Sequence, residues 1–311
     1  MFRFVVKLFG FALVQAALVV ALIAATEMPV AFWGTTRGKH EIADRAPSPR
    51  MIISGGSSDV FAFDGKALRE ATGYYPVSLA VYAGLGVEYF LKEAEREARR
   101  GDVIFLSLEP HHFATFGINE EVLVQMVVER PRSIFHIPLR HLPLVLDELL
   151  NHIRVHLDAR ISSLFRRRRA HEVPVELDEY GIIILDRPTP KPYKSPAPEE
   201  MEVLKAKPHE LPELIDRLNA FVRRCRSRGI EVVLAMSPHD RAFYDFNQAY
   251  IDRVHDELVK HFEGLLLGPP SQFAWPESYL YDSMLHLNLE GRRIHTERVI
   301  EEWKKLNLKA P

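Results

Sequence analysis

The sequence predicts an α/β domain built on a mainly parallel sheet with helices on both faces, and three observations predict it. Short apolar runs of strand length recur along the chain, most of them separated by helical patterns. The first of these runs ends in a glycine turn that leads into a helix signal. The composition, 47% hydrophobic and 26% charged over 311 residues, suits one large α/β domain or two small ones and excludes a disordered, collagen-like or multi-spanning chain.

Charge and cysteine content remove further classes. Forty Lys and Arg against 42 Asp and Glu leave no basic field that would draw nucleic acid as a partner. The single cysteine, Cys225, can form no intramolecular bridge and supplies no redox pair or cysteine-based zinc site. No feature calls for a cofactor.

Taken in order, the elements begin with Arg3 and Lys7, followed by an apolar run over 8–25 broken only by Gln15. That run approaches the roughly 20 residues that span hydrocarbon. Residues 1–27 therefore read as a membrane anchor or signal segment. The run is longer than a usual cleavable core and lacks a clean small-x-small site after Ala24 and Ala25, which favours an uncleaved anchor. With Arg3 and Lys7 on the cytoplasmic side, everything after Glu27 lies across the membrane, in a bacterium on the periplasmic or outer face. A polar tether is expected over 28–49, and the α/β domain over 50–311.

Within the domain, strand runs are predicted at 50–56, 77–81, 103–108, 182–185, 230–236 and 264–267. Helices are predicted at 86–100, with Lys92, Glu93, Glu95, Arg96 and Glu97 along its outer face, at 211–228 and at 292–305. A helical insertion at about 132–170 breaks the alternation. It carries Leu142, Leu146, Leu149, Leu150, Ile153, Leu157 and Ile161 at three- and four-residue spacings and ends in Arg166 to Arg169. Such a stripe could lie on anionic lipid or a partner helix, or form a hairpin packed on the domain with a solvated arginine end. Five prolines from Pro188 to Pro198 mark an extended loop.

Two segments carry chemistry. Gly55-Gly56-Ser57-Ser58-Asp59 follows the first strand, and a serine presented by such a turn has an exposed hydroxyl and a free amide, although the same composition also makes ordinary loops. Near the chain's other end, Asp282 precedes His286 by four residues, with Asn288 and Gly291 opening the last helix. A carboxylate so placed can hold the imidazole in one tautomer and stabilise its protonated form; the same loop could equally hold an incidental Asp and His. Together the two segments offer a nucleophile, a base and an orienter.

These segments resemble the first and last blocks of the SGNH (GDSL-type) hydrolase superfamily. The resemblance covers most of the chain after the anchor. It is nearest to the membrane-anchored, extracytoplasmic branch that includes relatives of teichoic-acid D-alanyl transfer and alginate acetylation proteins. The opening Gly-x-Ser-x-x-x-x-Gly-x-Asp is matched by Gly55, Gly56, Ser57 and Asp64, with Ala62 in place of the later glycine. The closing Asp-x-x-x-His-Leu-Asn-x-x-Gly is matched by Asp282, His286, Leu287, Asn288 and Gly291. The resemblance implies a flavodoxin-like three-layer fold and ester chemistry, with Ser57 as nucleophile, His286 as general base and Asp282 as its orienter.

The chain also departs from that pattern. Ser78 stands where the superfamily usually has an asparagine, and the glycine block is best matched by Ala83-Gly84. The third block, normally Gly-x-Asn-Asp, is here Leu106-Ser107-Leu108-Glu109-Pro110-His111-His112 and has no oxyanion-donating asparagine. An oxyanion hole then falls to the N–H groups of Ser57 and Gly84, while Glu109 serves as a neutral acid, a structural acceptor or a ligand for a substrate amine or hydroxyl. His111 and Asn288 are further candidates for substrate contact. Metal binding by Glu109, His111 and His112 is disfavoured, because adjacent histidines in an extended segment point apart. Met236 to Asp240 is expected to shape the same crevice, and Tyr244, Phe246 and Tyr250 to pack.

The function expected from the resemblance is a serine esterase or O-acyltransferase acting on an acylated cell-envelope or exported polysaccharide. Its partners would be that ester substrate, the inner membrane and a membrane-bound acyltransferase. The alternative is a catalytically inactive member of the fold that binds glycan or serves as a scaffold in an acylation system.

Overall fold

The computed structural model describes residues 2–25, 35–114, 119–165, 175–184, 193–205, 207, 209–308 and 310. The arginines expected to end the insertion, Arg166 to Arg169, and residues 188–192 of the proline loop lie outside the described residues.

In chain order the elements are α1 (Phe2–Ala25), α2 (Thr36–Arg45), β1 (Arg50–Gly55), α3 (Ser57–Val60), α4 (Gly65–Thr72), β2 (Tyr75–Ser78), α5 (Val87–Glu97), β3 (Val103–Leu108), α6 (His111–Ala114), α7 (Glu120–Glu129) and α8 (Leu142–Phe165). There follow α9 (Glu210–Ser227), β4 (Glu231–Met236), β5 (His239–Asp240), α10 (Arg241–His261), β6 (Leu265–Leu266), β7 (Ala274–Trp275) and α11 (Leu289–Lys305).

The main sheet has the order β2-β1-β3-β4-β6, with every pairing parallel. Its strands read as continuous apolar runs because both faces are covered. Along β3, Ile104, Leu106 and Leu108 enter one core with residues of α5, α9 and α10, while Val103 and Phe105 enter a second core with Leu68 of α4 and Val299 and Trp303 of α11. The alternation of side chains along a strand thus fills two cores from one sheet. The order reverses between β1 and β3, so the crevice for a ligand is expected beyond their carboxyl ends.

Three expectations are corrected. The stretch 182–185 is not a strand of this sheet: Ile183 makes an isolated antiparallel bridge to Leu177, and the Asp178 carboxylate gathers the N–H groups of Tyr180 and Ile182 into a turn whose Tyr180 carbonyl accepts from Ser78 at the β2 edge. The tether over 28–49 contains α2, which packs on the domain and buries Thr36, Lys39, His40 and Ala43. On α5, Glu93 and Glu97 do not face solvent: Glu93 is 3% exposed, and both carboxylates bind the imidazole of His40 on α2, at 3.0 and 3.2 Å.

The 3-10 turns over Pro131–His136 and Leu139–His141 lead from α7 into α8, which packs along α7. No helix among the described residues is long and apolar enough to cross a membrane; the side chains of α1 beyond residue 18 are not among them.

Candidate active site

Ser57 is the first residue of α3, directly after β1 and the extended turn residue Gly56. Chain entry into a helix at this point leaves the first N–H groups without intrahelical partners. The first bond of α3 is Asp59 N–H to the Gly56 carbonyl, so the Ser57 N–H precedes the ladder. Gly56 is required by close approach: a Cβ there would collide with Glu109 Oε1 and come within 3.1 Å of Ala83.

His286 and Asp282 stand in the loop before α11. That loop is closed by the antiparallel bridge Leu280–Leu287 and by the Tyr281 N–H to His286 carbonyl bond of 2.7 Å. Asn288 secures it from below: its carbonyl oxygen caps α11 by accepting the Gly291 N–H, and its amide donates to the carbonyls of Ser278 and Leu280. Its polar groups are engaged in the loop, so the role the structure gives Asn288 is support of the loop rather than contact with a ligand.

The structure brings the two ends of the domain together. His286 Nε2 lies 3.0 Å from Ser57 Oγ, and its Nδ1 lies 2.7 Å from Asp282 Oδ1. The ring is stacked on Phe61, centroid to centroid 4.3 Å, which fixes its plane. With Asp282 accepting the Nδ1 proton, Nε2 carries the lone pair toward the serine hydroxyl. Asp282 is 43% exposed at its side chain and His286 only 14%, so the relay opens to solvent at its acid end.

Gly84 lies in the 3-10 turn Ala83–Leu85, which abuts Gly56. The first bond of that turn is Leu85 N–H to the Tyr82 carbonyl, so the Gly84 N–H, like that of Ser57, precedes its ladder. Asn119, capping α7, donates its N–H to the Gly84 carbonyl at 2.7 Å and holds the turn from the other side.

Glu109, 2% exposed, reaches over the Ser57 turn, where its Oε1 accepts the Ser58 N–H at 3.4 Å. The segment behind it is a helical turn, α6, rather than the extended chain expected. His111 and His112 still diverge. His111 stacks on Phe243 and approaches Glu202 at 3.4 Å, whereas His112 is buried and acts as a clamp. His112 Nδ1 accepts the Glu109 N–H at 3.0 Å, so its Nε2–H donates to the Ala83 carbonyl at 3.1 Å, and burial holds its pKa below the usual imidazole range. His112 therefore joins the Glu109 turn to the Gly84 turn. The sequence offers His112 only as a disfavoured metal ligand or a residue that closes the site or packs a loop; its place three residues after Glu109 is the signal for the clamp.

Under the site, Asp59 is fully buried and its carboxyl is pushed well above the usual range by burial and by Glu109, with Lys39 and Ser107 opposing. Lys39 of α2 donates to the Gly181 carbonyl and to Ser78 Oγ, and burial lowers its pKa to about 7. Ser78 thus receives a lysine from the tether region. His239 and Asp240 are buried beside the site loop, which Asp240 holds through its N–H to the Met284 carbonyl. Among the described residues, no cluster of three His, Cys, Asp or Glu is placed to hold a metal. A cavity of about 560 Å³ between α9 and α10, lined by Leu211, Ile215, Arg253 and His261, includes no residue of this site.

No family model matches this chain, and no curated protein matches it.

Proposed function

We propose that the chain is a serine esterase or O-acyltransferase acting on an acylated cell-envelope or exported polysaccharide, with a flavodoxin-like three-layer domain held by α1 to the inner membrane and lying on its extracytoplasmic side. One observation carries the chemistry: the hydrogen-bonded series Ser57 Oγ, His286 Nε2, His286 Nδ1, Asp282 Oδ1, set at the carboxyl end of β1. The SGNH-like motifs around these residues support the same reading. The anchor is supported by the apolar run over 8–25 and by Phe4, Leu8, Phe9, Phe11, Val14 and Leu18, large side chains of α1 that are exposed among the described residues.

In this reading Ser57 Oγ attacks the ester carbonyl carbon while His286 Nε2 takes its proton. The tetrahedral oxyanion is received by the N–H groups of Ser57 and Gly84. As the C–O bond breaks, His286 returns the proton to the leaving alcohol oxygen, and the acyl group stays on Ser57. Water or a sugar hydroxyl then gives its proton to His286 and attacks the acyl-serine carbon; the acyl–Oγ bond breaks, His286 returns that proton to Ser57 Oγ, and the acid or the new sugar ester leaves. Asp282 holds the imidazolium in both halves.

The test is treatment of the purified full chain with a fluorophosphonate probe, with the adduct located by mass. An adduct on Ser57 that is lost in Ser57→Ala and in His286→Ala is expected. A folded protein with no adduct overturns the enzyme. The buried Glu109 carboxyl beside the nucleophile turn favours one other reading, a non-catalytic glycan-binding or scaffold protein. That reading expects no adduct and saturable binding of acetylated polysaccharide that survives Ser57→Ala.

A further inference from the structure

We propose that the flank formed by the Pro131–His136 turn and the first half of α8 is a second membrane contact, a surface whose Ile134, Phe135, Leu139, Leu146 and Leu150 enter the interfacial layer of the bilayer that α1 spans. The inference rests on the anchor in the reading above.

The first argument is one-sided packing. Val145 of α8 is buried and Leu142 and Leu149 pack partly buried against the same core, yet Leu146 is 56% and Leu150 64% exposed on that helix, and Phe135 64% and Leu139 81% exposed on the turns that lead into it. A helix apolar on its outer as well as its inner side is covered by something.

The second argument is where the chain delivers this surface. From the end of α1 at Ala25 to the start of α2 at Thr36 there are ten residues, 26 to 35, which fully extended reach at most about 35 Å. A domain so tethered cannot move far from the bilayer. Its first element, α2, stands beside the surface in question: the rings of His40 and His136 are 6.5 Å apart, and the Thr36 hydroxyl donates to Met126 of α7 at 3.2 Å. Phe135 is the next residue along from His136, so the exposed apolar side chains begin at the corner of the domain nearest the tether.

The third argument is the company those side chains keep. Arg132, Arg140 and Arg154 are exposed among them, Arg140 pairing with Glu88 at 2.8 Å, and the Arg96 guanidinium lies 5.0 Å over the Phe135 ring; the acids on the same stretch of α8 are Asp147, exposed, and Glu148, half-buried. Aromatic and leucine side chains interleaved with an excess of arginine suit an interface where apolar groups sit at acyl depth and guanidinium groups at the phosphates.

The experiment uses the full chain in liposomes of phosphatidylcholine and phosphatidylglycerol. Phe135→Cys, Leu150→Cys and, as control, Val259→Cys are labelled singly with an environment-sensitive fluorophore. The native Cys225 stays in place, because it is buried and burial raises its thiol pKa to about 12. Val259 is exposed on α10, which packs over β6, the sheet edge opposite β2 and α2. Lipids carrying a nitroxide on the acyl chain are expected to quench the labels at 135 and 150 by roughly half and to leave 259 nearly unchanged. If the protein floats with the vesicles but 135 and 150 are quenched no more than 259, the membrane surface is overturned, the anchor stands, and a protein partner is left as the cover. If the protein does not float with the vesicles, the anchor fails and this inference fails with it.

Discussion

Two clusters in this molecule use the same side chains for opposite ends. At the carboxyl edge of the sheet, a histidine is held by a carboxylate and aimed at a serine, with the acid end open to water. Between α2 and α5, His40 is held by Glu93 and Glu97, with Arg130 donating to Glu97 at 2.8 Å and His136 close by, all of it buried or nearly so. In the first cluster the Ser57–His286 bond joins a hydroxyl to an imidazole, with no countercharge at the serine oxygen. In the second, charge is matched by charge across two helices, and its effect is to dock α2. Histidine and carboxylate in contact therefore do not mark chemistry; what marks it is a reactive atom left facing a place where a ligand can come.

The comparison breaks most sharply at Ser57. Ser57→Ala is expected to lower kcat on a small acetyl ester by about 10⁴-fold or more, and His286→Ala by a similar factor, since the pair acts as one unit. His40→Gln is expected to leave kcat within about twofold, because no reacting group touches it. A large kcat loss in His40→Gln with an unchanged melting temperature would falsify the division between the two clusters.

Asp282 sharpens it. A buried orienting acid is worth about 10⁴-fold, but this one is 43% exposed and shares its field with water. Asp282→Asn is therefore expected to cost roughly 10- to 10²-fold in kcat with KM little changed, as read in steady-state kinetics.

His112 tests whether the site turns are held as rigidly as the docking cluster. His112→Phe fills the volume but leaves the buried Glu109 N–H and Ala83 carbonyl without their bridge. The expected cost is about 1–3 kcal/mol of stability by denaturant titration. His112→Gln, which can accept and donate at once, is expected to recover part of it.

Much of the sheet and the meeting of Ser57 with His286 were legible in the sequence, because the strands and the two turns rest on short local signals. Val103–Leu108 reads as a buried parallel strand from its apolar run, and Ser57 and His286 stand at a strand end and a helix start. What was not legible depends on long-range polar pairing. The sequence around α2, Thr-Arg-Gly-Lys-His-Glu-Ile-Ala-Asp-Arg, has almost no apolar face, so hydropathy offers nothing to read. Besides Thr36 and Ala43 it buries Lys39 and His40, whose partners lie some forty to 140 residues away. For the same reason Glu93 and Glu97 resemble a solvated helix face until His40 is placed between them. Asn288 was assigned toward a ligand, but the cap it supplies to α11 and the carbonyls of its own loop occupy it.

The smallest expected change, in the wild-type melting temperature, comes from the two neighbours on α2, which sit on opposite sides of the comparison and offset each other. His40 faces Glu93 and Glu97, and although burial lowers its pKa, those bonds raise it to about 9. A histidine raised in the folded state contributes stability that is fully present below pH 6.5 and is lost as pH rises through 9, up to about 3 kcal/mol in all. Lys39 faces the underside of the site, and burial lowers its pKa to about 7 from 10.5. Its unfolded state then binds more protons than the folded one between those values, so this contribution to stability rises as pH climbs through the same range. Between about pH 7 and 9 the two slopes oppose, and the wild-type melting temperature is expected to change little. Removing one residue exposes the other: His40→Gln should gain stability across that window relative to its value at pH 7, and Lys39→Met should lose it. Melting curves of the three proteins at pH 6.5, 8 and 9.5 decide the matter, and parallel profiles would mean that neither group is buried as the packing of α2 requires.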